Sequence, residues 1–331
     1  MTTDRPIFVV GFQRSGTTLL QSLLGAHPAI AAPPEMYFVL RIWKLADWYG
    51  DLSDDDALRR ALHDTLHAPN DALAECGFDE ESLFETMRTG NRSYAALLDA
   101  VMSDFTQRHG KARWSEKSPG QRAVDVFSLF PTAQVVHIVR DPRDVVSSSR
   151  ETPWTTSGAH RLATAWRAFT SSNIHAGRAA GPTRFLQVHY EDLTAEPEAT
   201  LRLVCTFLGE EFAPEMLSDV ARRRPTLAPA AAPWQARALE EISTSSQGTW
   251  RARLSRVDRL QVAGVVAAYL EPLGYAPARP RSVRLGRAMN SVLAARRILR
   301  KRPPVDARSR YERTQALVAR SAAATDITGT S

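Results

Sequence analysis

The sequence predicts an α/β fold, a parallel sheet of about five strands flanked by helices, and two observations lead to it. Short runs rich in β-branched and aromatic residues recur along the chain, each followed by a stretch of helical periodicity. These runs are nearly continuously apolar rather than alternating, as in strands whose two faces are both covered.

The first predicted strand is PIFVV at 6–10, and the others follow at 29–32, 112–116, 134–139 and 184–188. Between the second and third lies a helical insertion at 36–110, with a charge cluster at Asp54, Asp55 and Asp56 and a break near Gly90. We expect it to form a lid beside a pocket at the carboxyl edge of the sheet. Its aromatic residues Tyr37, Phe38, Trp43, Trp48 and Tyr49 either line that pocket or enter the core. A second helical region, 197–274, is interrupted at 225–233 by a proline-bracketed Ala230-Ala231-Ala232. The expected organisation is one domain over 1–278 and a basic segment over 279–331, whose last residues, 321–331, are small, polar and expected to be disordered.

With 44% hydrophobic and 24% charged residues, 331 residues can bury a large core. Neither a charged-then-apolar leader nor a long apolar run is visible, so the expected location is cytoplasmic. Cys76 and Cys205 form no metal-binding spacing and read as reduced thiols. The net charge is +6, yet 279–313 alone carries twelve Lys/Arg against Asp306 and Glu312, which leaves the remaining chain net acidic. A general nucleic-acid surface on the body is therefore excluded, and any anion site there must be local.

One such site is legible. PIFVV runs into Gly11-Phe12-Gln13-Arg14-Ser15-Gly16-Thr17-Thr18 and then into an amphipathic helix beginning at Leu19. A strand, tight loop and helix in this order aim backbone N–H groups and the positive end of a helix dipole at one anion. The spacing from Gly11 to Gly16 is that of a P-loop, but Thr17 stands where the lysine of an NTPase belongs, and Arg14 supplies the cation. That departure disfavours a triphosphate with magnesium, although a nucleotide kinase or NTPase with a degenerate loop stays open at this point.

Ligands of open α/β sheets bind outside the carboxyl ends of the strands. The residues there are Glu35 after the second strand, Glu116-Lys117-Ser118-Pro119 at the third, Arg140-Asp141-Pro142-Arg143-Asp144 after the fourth and His189-Tyr190-Glu191-Asp192 after the fifth. Arg140 can fork onto a second phosphate, and Ser148, in the helix that Pro142 begins, can donate a hydroxyl to it.

The Arg14-Ser15-Gly16-Thr17-Thr18-Leu19 loop and the Val139-Arg140-Asp141-Pro142-Arg143-Asp144 motif resemble the two signatures with which sulfotransferases bind 3′-phosphoadenosine 5′-phosphosulfate (PAPS). The resemblance covers roughly 6–275 and implies a P-loop-kinase-like sheet, a 5′-phosphosulfate held by the first loop and a 3′-phosphate held at Arg140 and Ser148. The order Arg14, Ala26-His27-Pro28, Glu35, Glu116-Lys117 is similar to the tyrosylprotein and bacterial branch. The cytosolic small-molecule type has a histidine base where this chain has Pro119, whereas Glu35 matches the carboxylate base of the tyrosylprotein type. By weaker matches, Tyr190 and Ser246, the latter before Gly248-Thr249-Trp250-Arg251, are similar to positions near the nucleotide.

The resemblance implies that Glu35 takes the proton of an acceptor hydroxyl while Arg14, Lys117 and loop N–H groups stabilise charge, with no metal needed. The acceptor class, whether small molecule, lipid, glycan or peptide, is not legible. A non-catalytic scaffold of the same fold is a further alternative, which the joint presence of Arg14, Glu35, Lys117, Arg140 and Ser148 argues against. Finally, 281–302 places Leu285, Met289, Val292 and Leu299 at helical spacing among arginines. It reads either as a helix packed on the domain or as a contact with an anionic membrane surface or acidic partner.

Overall fold

A computed structural model describes residues 5–67, 73, 76–152, 155–218, 242–298 and 312. The break at 225–233, Leu299 and the last residues 321–331 lie outside the described residues.

Five strands form one parallel sheet: β1 (Ile7–Val10), β2 (Ile30–Ala31), β3 (Arg113–Glu116), β4 (Gln134–Val139) and β5 (Phe185–His189), in the spatial order β2-β3-β1-β4-β5. The predicted strands all occur, within a residue or two at each end. Because β1 sits between β3 and β4, the loop that follows it lies beside the ends of both.

Alternation along β1 explains why the strand reads as continuously apolar. Phe8 and Val10 enter one hydrophobic cluster, Ile7 and Val9 the cluster on the opposite face. The second face is covered by α1 (Thr17–Ala26), which buries Leu19, Leu20, Leu23 and Leu24. The first is covered by the insertion, whose helices are α2 (Phe38–Arg41), α3 (Ala46–Tyr49), α4 (Asp55–Leu66), α5 (Glu80–Arg88) and α6 (Tyr94–Arg108). Side chains of Asp54, Asp79 and Ser93 accept the first free N–H groups of α4, α5 and α6, so three helix starts are capped by residues suited to that position. Phe38 and Tyr49 are buried in the core with Trp114 of β3, while Trp48 is exposed, so the aromatic residues of the insertion divide between core and surface.

Helices α7 (Ala123–Leu129), α8 (Pro142–Arg150), α9 (Ala159–Ala180), α10 (Tyr190–Ala195) and α11 (Pro197–Leu208) complete the flanking layers. Proline at the first position of α8 and α11 starts each helix where no N–H is needed. The helix Arg256–Leu270 packs on α8 and α9, and Pro280–Ile298 packs on it in turn.

The basic segment is thus helical over 280–298, but Leu285 and Val292 of its apolar stripe do not face the body. Gly286 and the buried Asn290 face inward, and a Cβ on Gly286 would lie 1.9 Å from the Leu260 carbonyl oxygen. The backbones approach so closely there that Leu285 and Val292 are turned outward, each 57% exposed. Among the described residues no helix is long and apolar enough to cross a membrane. Both cysteines are free, and burial pushes the Cys205 thiol up to about 11, which keeps it neutral.

Candidate active site

Gly11 ends β1 where a Cβ would meet Thr17 and the Ile138 backbone oxygen at 2.6 and 2.9 Å, so only glycine lets the loop turn against β4. Arg14 and Gly16 both have positive φ, 66° and 94°, which curls the backbone into a concavity ahead of α1. No side chain caps α1 at Gly16, so its first N–H groups face outward from the helix end. A Cβ on Gly16 would come 2.4 Å from the Tyr190 ring, which floors the loop and also carries the Arg140 guanidinium, 4.4 Å from the ring centroid.

The two motifs join directly. Arg14 Nε donates to Ser148 Oγ at 3.0 Å, and Arg140 Nη1 donates to the Arg14 carbonyl at 3.0 Å. Arg140 Nη2 donates to the Ser246 carbonyl at 2.6 Å, drawing the late segment over the same arginine. Glu35, beyond β2, is ion-paired with Lys117 at the end of β3. Lys117 Nζ also donates to Thr18 Oγ1 at 3.1 Å, which places the pair at the mouth of the loop. Arg14, Ser15, Gly16, Thr17, Thr18, Glu35, Lys117, Arg140, Ser148, Tyr190 and Ser246 therefore form one constellation at the carboxyl edge of β1, β3 and β4.

An anionic nucleotide fits what the constellation offers. The buried Ser15 hydroxyl and Arg140 Nε find no hydrogen-bond partner among the described residues. Together with the uncapped start of α1 they are donors in want of an acceptor, and two arginines supply matching charge. No lysine stands at position 17, and Lys117 reaches the loop from the end of β3 through its bond to Thr18.

Sequence reasoning named Glu116, Ser118 and Asp144 at the strand ends without the partners by which they hold the site. Glu116 is buried at the end of β3 and accepts from the Ser118 hydroxyl, and Ser118 Oγ accepts the Tyr37 N–H at 2.8 Å. Tyr37 has a left-handed φ of 55°, so this chain of hydrogen bonds secures the strained turn two residues after Glu35. Burial pushes the Glu116 carboxyl up to about 7, against hydrogen bonds from Ser118 and Gln121 that favour its charged form.

Asp144 is the last of these. Its carboxylate accepts from Gly248 N at 2.7 Å, Trp250 N at 2.9 Å and the Thr249 hydroxyl at 3.0 Å, fastening the late segment to α8. Gln247 adds bonds to the Glu191 carbonyl and Thr194 Oγ1. Asp141 caps α8 and pairs with Arg143, so both aspartates are engaged with protein groups. An acidic residue inside an arginine-rich motif was the available signal, but its partners lie 104–106 residues on.

Fold and site define a class: a parallel α/β protein with an arginine-bearing anion loop, a carboxylate and lysine at its mouth, and a second arginine and serine behind. A model of the sulfotransferase family matches residues 6–214, and the chain belongs to that PAPS-dependent family. It is 26% identical over 208 residues to protein-tyrosine sulfotransferase A of Caenorhabditis elegans, an alignment covering 61% of this chain and 49% of the relative. It is also 26% identical over 246 residues to the omega-hydroxy-beta-dihydromenaquinone-9 sulfotransferase Stf3 of Mycobacterium bovis, covering 62% and 63%. The chain spans about half the length of the curated relatives it matches. The sulfotransferase domain of the Synechococcus PCC 7002 olefin synthase superposes with a TM-score of 0.55 at 21% identity, covering 86% of this chain and 95% of that one. The domain from the curacin biosynthetic pathway gives 0.53 at 18% identity, covering 88% and 99%. These two likenesses show the fold.

Proposed function

We propose that this chain moves a sulfuryl group from PAPS to an acceptor hydroxyl and releases 3′,5′-ADP. The observation that carries the reading is the Glu35–Lys117–Thr18 cluster at the mouth of the arginine-bearing loop. A carboxylate and a cation side by side at this point support a reading in which the attacking oxygen and the sulfuryl group meet beside them.

The donor, when bound, supplies the activated sulfuryl group. Arg14, Ser15, Gly16, Thr17 and Thr18 hold its 5′ side through backbone N–H groups, hydroxyls and charge. Arg140 and Ser148 hold its 3′-phosphate, Tyr190 floors the site and Ser246 closes it. The bond from Arg14 Nε to Ser148 Oγ supports this reading, since it joins the two proposed phosphate subsites directly. Glu35 takes the acceptor proton, and Lys117 steadies that carboxylate and the charge developing on the transferred group. The helical layer α2–α6 flanks the acceptor side. The relatives' names describe a protein tyrosine and an omega-hydroxy menaquinone, which share a hydroxyl nucleophile.

The test is thermal shift followed by transfer. PAPS or 3′,5′-ADP is expected to raise Tm more than ATP with magnesium, and radiolabel from PAPS is expected to appear on one class in a panel of phenolic peptides, lipid alcohols and glycans. A preference for ATP with magnesium would turn the reading toward a kinase or NTPase.

A further inference from the structure

Outside the strand edge, three side chains converge on the surface of the helical layer. His63 lies in the last turn of α4 and His67 caps its end four residues on, which brings the ring centroids to 4.2 Å of each other. Opposite them, in the first turn of α5, stands Glu80. His63 Nδ1 and His67 Nε2 lie 3.4 and 3.0 Å from one and the same oxygen, Glu80 Oε2, and the three residues offer ligand atoms all within 4.8 Å of one another.

We propose that His63, His67 and Glu80 form a surface site for a divalent transition ion of the zinc class, separate from the transfer chemistry. Zinc bonds of 2.0–2.2 Å to imidazole nitrogen and carboxylate oxygen place tetrahedral ligands about 3.3 Å apart. The two His–Glu separations here are already of that size. Two imidazole nitrogens and a carboxylate oxygen gathered within 4.8 Å of one another form the donor set that a single cation of this class takes. Both histidines are exposed, so the remaining coordination position opens to water. Imidazole and carboxylate together suit Zn(II) rather than Mg(II), which favours all-oxygen octahedral sites.

Occupancy would have a structural consequence. The ion ties α4 to α5 beside the Arg59–Glu81 pair, which already bridges the same helices at 2.7 Å. Between the two histidines sits Asp64, whose carbonyl accepts from Arg41 at 2.8 Å and whose carboxylate accepts from the Tyr49 hydroxyl at 2.6 Å. A staple at this point therefore stiffens the part of the layer that leads back to the turn after Glu35.

The experiment uses the full chain, freed of metal with a chelator and titrated with ZnCl2 by calorimetry and against a chromogenic zinc indicator. One saturable site of micromolar Kd is expected, with Tm raised by about 3 °C at a hundredfold excess over Kd and no response to MgCl2. His63→Ala and His67→Ala are each expected to weaken binding by about tenfold or more, and Glu80→Gln to do the same from the other helix. The metal-free Tm of these surface variants serves as the check on folding. No saturable zinc binding below millimolar concentration overturns the proposal, and so does undiminished binding in the His63→Ala/His67→Ala double variant.

Discussion

The carboxyl edge of the sheet and the helical layer beside it are held together in different ways. At the edge, polar groups bind polar groups across long stretches of chain: Arg14 to Ser148, Arg140 to two carbonyls, Asp144 to three donors of the late segment. In the layer, α2–α6 are held to β1 and β3 through buried apolar side chains such as Phe38, Leu58, Leu97 and Met102. The edge depends on particular atoms at particular distances, and one substitution there removes a bond with no substitute. The layer depends on volume and apolarity, which many side chains supply. On the proposed function, donor recognition would reside in few residues, and the helical layer could change without loss of the fold.

The sharpest way to break that contrast is at Glu35. Glu35→Gln keeps the shape but loses the carboxylate, and single-turnover transfer from labelled PAPS is expected to fall by about 10²–10⁴. The Kd of 3′,5′-ADP should stay within about threefold, because the proposed donor contacts lie in the loop and α8 rather than at Glu35. Wild-type turnover in this variant would remove Glu35 from the chemistry.

Gly16→Ala tests the loop geometry. Its φ of 94° and the Tyr190 ring 2.4 Å from the added Cβ both oppose the change. A loss of about 1–3 kcal/mol in urea unfolding is expected, with donor affinity reduced at least about tenfold. A variant with unaltered donor affinity would show that the loop tolerates a different backbone path.

Glu116 offers a pH-dependent comparison with Glu35. Its folded-state value, about 7, lies above the ordinary 4.5, so its contribution to stability is complete below pH 4.5 and is lost as pH rises to about 7. Glu116→Gln abolishes that titration. Relative to wild type, the variant is expected to gain up to ~3 kcal/mol between pH 4.5 and 8 in denaturant titrations. Parallel profiles for the two proteins would show that Glu116 is ionised throughout.

Asp144→Asn should have the smallest of these effects on chemistry. Losing the charge weakens the hold on Gly248, Thr249 and Trp250 by about 1–3 kcal/mol. Limited proteolysis is expected to cut sooner near 242–250, and donor KM to rise while kcat changes by less than about threefold. Equal protease resistance in both proteins would assign the docking to Gln247 instead.

How much of this was legible follows from chain separation. β1 and β4 could be read because each is a local, largely apolar run, and the loop because Gly11, Arg14 and Gly16 lie within six positions of one another. The residues at the strand ends could be named as a set by the rule for open sheets, yet their pairings could not. Lys117 meets Glu35 across 82 residues and Ser118 meets Tyr37 across 81, and no local pattern encodes such a contact. The direction of the basic helix was likewise hidden, because Gly286 against Leu260 and Gly264 set its rotation, and the apolar stripe did not.

The sequence by itself determined the parallel sheet, the anion loop, its arginine in place of a lysine, and the family those motifs resemble. These are properties of short segments, where backbone preference and hydrophobic spacing act between near neighbours. Only the tertiary structure decided that Lys117 meets both Glu35 and Thr18 of the loop, that Glu116 and Ser118 brace the turn after Glu35, and that Asp144 fastens the segment over Arg140. The sheet order β2-β3-β1-β4-β5 brings those distant strand ends to one edge, and hydrogen bonds and ion pairs take effect only at that range.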